Sequence, residues 1–498
     1  MIGLFASIVD GLLVGSVYGL AAMGISLIWG VMDVINLTHG AMIVAGMFGL
    51  YLMVNDLGIP VYATLPPVLI GGLMVGVMLY WIAVHRMIGR PPLMSLLSTF
   101  SVNLVLIGLG TAEWGTVLFN VPVSLPGFSI GRYTFPGAHI MAAVLTAAIA
   151  GLLYLFLFHT RPGKAVRAVS GNREAAELVG IPTTRVLAFA FGLGVALACV
   201  SGMLIGTLFP FTVLSGDAYQ LKSFVVTVLG GLGNPAGALI GGLALGLFEG
   251  LTTPFMPVSW TLVFEFVLFV VVLIAFPGGL LNLRLRGAYF ALATIGVNEA
   301  VQAFVTNFEP WGGGTGIYLS TELFQPLGGP AHALWIIYYI LVGVMGLSLY
   351  LSYFIKTSKF GLGLLAIGQN EDAAAVLGVP TPRYKAMVYC VSAFLPAVAG
   401  GLYFFKGAFI QPIDAFDLQF STEAIVIAML GGQGTVMGPA LGAFIYEQLR
   451  GWLLTSDTFA NFQLVIAGAL LLVIVIFAPG GLMGWLYGRW PRLKKVLE

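Results

Sequence analysis

Five polar residues interrupt apolar stretches of this sequence and could hydrogen-bond to a small solute: Asn36, His39, Asn103, Asn298 and Glu299. Burying an amide, imidazole or carboxylate among apolar groups is costly unless the group faces a cavity or a partner. The pattern Thr-x-x-Val-Asn that ends at Asn103 recurs ending at Asn298. We interpret the five as candidates for a translocation path, with helix–helix hydrogen bonding or a position at the membrane interface as the competing interpretation.

No spacing in the chain is typical of a catalytic or metal site. The five histidines are scattered, and no Ser-His-Asp set or metal-ligand spacing occurs. Four carboxylates in apolar stretches are isolated: Glu249, Glu265, Glu423 and Glu447. A phosphate-binding loop needs Gly-x-x-x-x-Gly-Lys-Ser/Thr, but Gly163-Lys164 is followed by Ala165. We therefore expect no catalytic residue, metal or cofactor on this chain, and no enzymatic activity.

The sequence contains an internal repeat, in which residues 85–283 recur at 284–484. The offset between equivalent residues rises from 195 at Asn103 and Asn298 to 202 at Pro277 and Pro479. A slow upward drift is what loop insertions produce in a duplicated sequence. We predict two modules, 1–283 and 284–498, the second being a repeat of 85–283 that is truncated at its front.

Each module carries a Gly- and Ala-rich loop. The characteristic positions are Gly163, Arg167, Asn172, Ala175, Ala176 and Gly180 in the first module and Gly361, Asn370, Ala373, Ala374 and Gly378 in the second. Asn caps helix N-termini well, and Gly followed by Pro ends helices. The pattern predicts a short helix with small side chains at Arg173–Val179 and at Asn370–Leu377. An ordinary capped loop helix is the competing interpretation, which the repetition disfavours.

The composition places the chain in a membrane. Hydrophobic residues make up 59% and charged residues 8% of 498, whereas a soluble domain has roughly 25% charged residues. Apolar runs are close in length to the ~20 residues that a helix needs to cross a bilayer. Within these runs apolar and polar residues do not alternate, as they do in the strands of a transmembrane barrel. We predict an all-α polytopic membrane protein with about 13–15 transmembrane segments. The short segments at 221–233 and 420–432 are expected to be half-helices or broken spans.

The basic residues predict the orientation. Of the 21 Lys and Arg residues, 17 lie in five segments that our scheme places on one face: 85–92, 161–185, 284–287, 356–385 and 489–495. The positive-inside rule makes that face cytoplasmic. The N-terminus is then outside and the C-terminus cytoplasmic. The two modules have the same orientation and form a pseudo-dimer of parallel repeats.

Three repeated motifs resemble the permeases of branched-chain amino-acid ABC importers. They are the Gly…Asn…Ala-Ala…Gly-Ile-Pro loop, the segment Leu229–Gly237 and the motif Pro277–Leu280. The stretch Gly15–Gly40 is similar to the family's first permease subunit, and Arg284–Gly296 resembles its second. The family's second subunit has several helices before this last motif, and here it follows the first module directly.

The resemblance implies an importer permease for branched-chain amino acids or a related small solute in a bacterial inner membrane. It implies two cytoplasmic ATPase subunits, which hold ATP and Mg²⁺ and dock on the repeated loops, and an extracytoplasmic substrate-binding protein. A net charge of +1 excludes an electrostatic nucleic-acid binder. The alternative is an ion-coupled secondary transporter, which also uses internal repeats but needs an ion relay and no duplicated docking helix.

Overall fold

The computed structural model describes residues 2–90, 92–130, 133–275, 288–320, 324–326, 328–455, 462–477 and 480–490. Packing divides the chain into two compact units. The first comprises Met1–Ala303 with Glu447–Pro479, and the second comprises Phe304–Tyr446 with Gly480–Glu498. These units therefore do not follow the repeat boundary at residue 283.

Among the described residues, twelve α-helices lie between Ile2 and Asn307. They are α1 Ile2–Met32, α2 His39–Asn55, α3 Leu65–Leu79, α4 Pro92–Trp114, α5 Gly137–His159, α6 Arg161–Gly171, α7 Arg173–Leu178, α8 Thr183–Gly206, α9 Gly216–Gly230, α10 Pro235–Thr252, α11 Val258–Ala275 and α12 Ala288–Asn307.

Nine helices follow in the rest of the described chain. They are α13 Pro330–Thr357, α14 Lys359–Gln369, α15 Glu371–Val376, α16 Thr381–Gly407, α17 Pro412–Ala415, α18 Leu418–Gly431, α19 Gly438–Thr455, α20 Gln463–Phe477 and α21 Gly481–Arg489. Helices α4–α11 recur in order as α12, α13, α14, α15, α16, α18, α19 and α20, which agrees with the repeat in the sequence.

Glycines set the packing at the centre of the first unit. A Cβ on Gly15 of α1 would lie 2.5 Å from the carbonyl oxygen of Gly242 on α10, and a Cβ on Gly24 would lie 2.5 Å from that of Gly194 on α8. Only glycine permits such close approach of backbones. Helices α1 and α8 are consequently the most buried spans.

The last apolar helix of the second module packs in the first unit. A Cβ on Gly108 of α4 would lie 2.7 Å from the backbone nitrogen of Val465 on α20, and one on Gly468 would lie 2.6 Å from the oxygen of Ser101. This close contact between helices of different modules explains why Glu447–Pro479 groups with the first unit.

Short strands connect the helices outside the predicted spans. β1 (Phe128–Ile130) and β2 (Tyr133–Phe135) form an antiparallel hairpin. β3 (Ile317–Tyr318) pairs antiparallel with β4 (Phe409–Ile410) in the second unit. A single bridge between Phe119 and Phe211 occupies the equivalent place in the first module.

Nine helices of the described residues are long and apolar enough to cross a membrane. They are Gly3–Met32, Val61–Met87, Met94–Trp114, Gly137–His159, Thr183–Gly206, Pro235–Thr252, Pro330–Thr357, Thr381–Gly407 and Gln463–Gly484. The prediction of 13–15 segments also included α2, α9, α11, α12, α18 and α19. With 15 and 14 residues, α9 and α18 are about 22 Å long, short of the ~30 Å hydrocarbon core. The all-α membrane fold is thus confirmed.

Candidate coupling loops and a buried polar segment

The repeated Gly- and Ala-rich loops are candidate coupling loops, that is, candidate docking sites for ATPase subunits. The first, residues 160–182, begins with a sharp corner between α5 and α6. The Thr160 hydroxyl caps α6 by accepting the Gly163 N–H at 3.1 Å. A Cβ on Gly163 would overlap the carbonyl oxygen of Phe156. In the second coupling loop, residues 358–380, Ser358 caps α14 by accepting the Gly361 N–H at 3.1 Å. Gly163 and Gly361 therefore hold the first loop helix against the end of its span.

Arg167 anchors its loop to the membrane helix that precedes it. Its Nε donates to the carbonyl oxygen of Leu157 at 3.0 Å, and its guanidinium lies 4.3 Å from the centre of the Phe158 ring. This contact is internal to the chain. The second loop has Leu365 at the equivalent position, where the side chain is 58% exposed, so the anchor belongs to the first module.

The second helix of each loop is capped in the same way in both copies. Asn172 Oδ1 accepts the Ala175 N–H at 2.9 Å, and Asn370 Oδ1 accepts the Ala373 N–H at 2.9 Å. The two caps have nearly identical backbone angles, φ −159° and −157°. The predicted short helices are present as α7 and α15, each preceded by a further helix, α6 or α14, that the sequence reasoning missed.

Gly180 and Gly378 end these helices in the left-handed conformation, at φ +83° and +87°. The residue after each glycine donates its N–H back to the second Ala of the loop at 3.0 Å, from Ile181 to Ala176 and from Val379 to Ala374. This is the Schellman arrangement, which glycine adopts without Cβ strain.

The two alanines of each pair differ in burial. Ala176 and Ala374 are 4% and 1% exposed and point into the chain, whereas Ala175 and Ala373 are exposed. Two consecutive apolar residues protrude just before each terminal glycine. Leu178 and Val179 are 88% and 76% exposed, and Val376 and Leu377 are 88% and 81% exposed. Their repetition before the glycine was a signal in the sequence that we did not use.

The charges around the two short helices differ. The Thr183 hydroxyl donates to Glu177, and Arg173 lies 3.3 Å from the same carboxylate. These two neighbours lower the pKa of Glu177, the hydroxyl most. In the second loop Lys385 lies 2.5 Å from Glu371 instead. The two protruding surfaces are therefore alike in shape and unlike in charge.

Asn36 lies in the irregular segment between α1 and α2, residues 33–38, and His39 is the first residue of α2. This segment is buried in the first unit, where Thr99 Oγ1 donates to Ile35 O at 3.1 Å and lies 3.2 Å from the Leu37 nitrogen. The Gly40 N–H donates to Gln220 of α9 at 3.0 Å. Irregular backbone within a membrane bundle is tolerated where protein satisfies its polar groups.

The candidate path residues all belong to the first unit. Asn36, His39 and Asn103 are 1%, 0% and 6% exposed. Asn36 Nδ2 and Asn103 Oδ1 have no hydrogen-bond partner within the described protein. Asn298 and Glu299 lie on α12 and are half-buried. The structure thus places all five in one unit, three of them in its interior.

Two carboxylates that looked isolated in the sequence form a buried cluster with a lysine. Lys222 Nζ lies 2.5 Å from Glu249 Oε1 and 3.7 Å from Glu265 Oε2, and it also lies 4.8 Å from the centre of the Tyr18 ring. These contacts join α9, α10, α11 and α1. The expectation of lone carboxylates was wrong here because partners 27 and 43 residues apart in the sequence meet only through folding. Among the described residues no group of three His, Cys, Asp or Glu side chains could hold a metal ion.

This architecture, with duplicated helical modules and matched loops, defines a polytopic transport protein. The chain belongs to the family of branched-chain amino acid transport system permease components, whose model matches residues 7–273 and again 271–475. The double match confirms both the resemblance and the tandem arrangement.

The curated relatives include both kinds of permease subunit. The chain is 29% identical over 295 residues to the high-affinity branched-chain amino acid transport system permease protein LivH of Escherichia coli K12, covering 55% of this chain and 94% of that protein. It is 25% identical over 356 residues to LivM of Salmonella typhimurium, covering 64% and 80%. A ribose import permease, RbsC of Haemophilus influenzae, is 30% identical over 128 residues, covering 25% and 40%. No solved structure shows a significant match.

Proposed function

We propose that this permease is the membrane core of an ATP-driven importer for a branched-chain amino acid or a related small solute. The observation that carries the proposal is the duplicated loop geometry, with the same Asn cap, the same left-handed Gly and the same protruding apolar pair. Because the two loops present surfaces of the same shape, they are suited to bind two similar partner subunits. We assign them to two cytoplasmic ATPase subunits, which supply ATP and Mg²⁺.

The orientation follows from charge and from one contact. The Ser170 hydroxyl of the first coupling loop donates to the carbonyl oxygen of Gly30 near the end of α1, so this loop and that end of α1 share a face. The basic residues make that face cytoplasmic. The N-terminus is then outside, where a substrate-binding protein delivers its cargo, in a bacterial inner membrane.

The buried carboxylates favour an importer over the ion-coupled alternative. A proton or sodium relay needs carboxylates that are free to bind the ion. Glu249 and Glu265 are instead held by Lys222. The candidate path contains amides, an imidazole and one half-buried carboxylate, which suits brief contacts with a solute whose affinity resides in the binding protein.

Reconstitution into proteoliposomes tests this function. We expect leucine uptake only when the ATPases, the binding protein and ATP are all present. Calorimetry should show that the permease alone binds leucine no more tightly than about 1 mM, about −4 kcal/mol. Uptake driven by a proton or sodium gradient without ATP would establish the secondary transporter instead.

A further inference from the structure

Equivalent helices in the two modules differ in what covers them. The most apolar 18 residues of α8 are 89% buried, whereas those of α16 are 0% buried. α8 packs against α1, α2 and α3. The second module has no equivalents of these three helices among its described residues. The exposed surface of α16 therefore corresponds to the surface of α8 that α1–α3 cover.

A glycine on α16 marks the position of one missing helix. Gly202 of α8 lies against α2 so closely that a Cβ there would overlap the carbonyl oxygen of Ile43. Gly400 is the equivalent residue of α16, at the loop offset of 198. A Cβ on Gly400 would meet no atom within 4 Å. The second module thus has a glycine suited to close packing of a helix, and no described residue occupies the space in front of it.

A tryptophan in a different part of the second unit indicates the same missing helix. Trp114, the last residue of α4, stacks on Phe48 of α2 with ring centres 4.3 Å apart. Its equivalent, Trp311, is 54% exposed. Gly400 and Trp311 lie on separate elements, and in the first module one helix, α2, covers both equivalents.

This chain has no stretch outside the described residues that is long enough to form the missing span. Its longest stretch outside the described residues, 276–287, is shorter than the ~20 residues of a span. A second copy cannot lend its own α2, because a Cβ on Gly46 of that helix would overlap the carbonyl oxygen of Cys199, which shows how tightly α2 is held on α8. A glycine on a helix surface allows the backbone of another helix to approach closely, which adds packing contacts between the helices. Lipid chains need no such close approach.

We infer that a separate membrane polypeptide covers α16 and Trp311 with helices that resemble α1–α3. Its α2-like helix brings its backbone against Gly400, as α2 does at Gly202, and places a small residue against Ala397, as Gly46 lies against Cys199. It presents an aromatic side chain to Trp311, as Phe48 does to Trp114. This partner belongs within the bilayer, so it is distinct from the ATPases and from the substrate-binding protein.

Gly400→Leu in the full-length chain, purified from the membranes of its own organism, tests the contact. Leucine fits the open space in this chain but blocks close approach of another backbone. We expect native gels to show at least a tenfold loss of a complex larger than the chain alone. The control is Gly343→Leu on α13, since a Cβ there also meets nothing within 4 Å and the equivalent residue is Leu145. If both variants migrate as wild type does, the exposed face meets only lipid and the inference is wrong.

A photoreactive phenylalanine analogue in place of Trp311 identifies the occupant. We expect a cross-link to a transmembrane peptide, absent from this sequence, with a small residue two positions before an aromatic one. Cross-links to a peptide of this chain from a second, differently tagged copy would overturn the inference in favour of self-association. Adducts with lipid alone would overturn it as well. Neither readout requires transport, so these outcomes are separate from those of the uptake experiment.

Discussion

Lys222 and Glu249 form an ion pair of 2.5 Å whose charges are reversed at the equivalent positions of the second repeat. At the offset of 201 that relates the Leu-Gly-Gly motifs, Lys222 corresponds to Glu423 and Glu249 to Arg450. The third member, Glu265, corresponds to Ile466 or Ala467. The repeats have thus kept opposite charges at these two positions while exchanging their signs, and only the first has the additional carboxylate.

Removing the lysine should destabilise the first unit. Lys222→Met leaves two carboxylates side by side, with side chains only 17% and 4% exposed, and losing the partner of a buried charge costs about 3–5 kcal/mol. Thermal unfolding in lipid nanodiscs measures the loss. The matched control, which combines Lys222→Met with Glu249→Gln and Glu265→Gln, should be closer to wild type. An equal loss in both variants would show that packing of the lysine stem, rather than charge, is responsible.

A charge on a protruding residue should abolish docking without unfolding the chain. Leu178→Asp and Val376→Asp alter side chains that are each 88% exposed, so their effect on stability should be within about 0.5 kcal/mol. We expect each variant to lose co-purification of an ATPase and ATP-driven uptake. Leu57→Asp, at a residue that is 70% exposed in the turn after α2, is the control. Normal ATPase binding by both loop variants would refute the assignment of these surfaces.

Tryptophan at the two alanines of the first loop should give different defects. Ala175 is exposed and Ala176 is buried. Ala175→Trp should weaken ATPase binding and leave the loop as resistant to trypsin as wild type. Ala176→Trp overpacks the contact beneath α7, at a cost of about 1–3 kcal/mol, and should make the loop sensitive to trypsin. Identical cleavage of the two variants would contradict the inward orientation of Ala176.

Cysteine labelling from outside the cell should distinguish the two faces. Ser129, Ser170 and Gly368 are all exposed, so accessibility of the residue itself does not limit the reaction. In a background without Cys390, an impermeant maleimide should label Ser129→Cys in right-side-out cells and should fail with Ser170→Cys and Gly368→Cys until the membrane is opened. Labelling of both loop positions in sealed cells would invert the proposed orientation.

Local sequence predicted much of each coupling loop. Asn172 and Asn370 cap their helices, and Gly180 and Gly378 end them, because caps and left-handed turns depend on residues within one turn of helix. Which alanine of each pair is exposed was not predicted. Ala175 and Ala176 are adjacent and identical in type, and only packing against the membrane helices decides which of them is buried.

The sequence by itself determined the medium, the helical class, the duplication and the short helices, since hydrophobicity and capping act over neighbouring residues. The tertiary structure decided the associations that depend on distant parts of the chain. It brought Lys222 between Glu249 and Glu265, and it packed α20 against α4, across the repeat boundary. In an apolar chain almost every helix has a surface that can face either lipid or protein. Which helices pack together therefore depends on small residues such as Gly108 and Gly468, which permit close contact between backbones. That choice is a property of two surfaces together, and a single stretch of sequence contains only one of them.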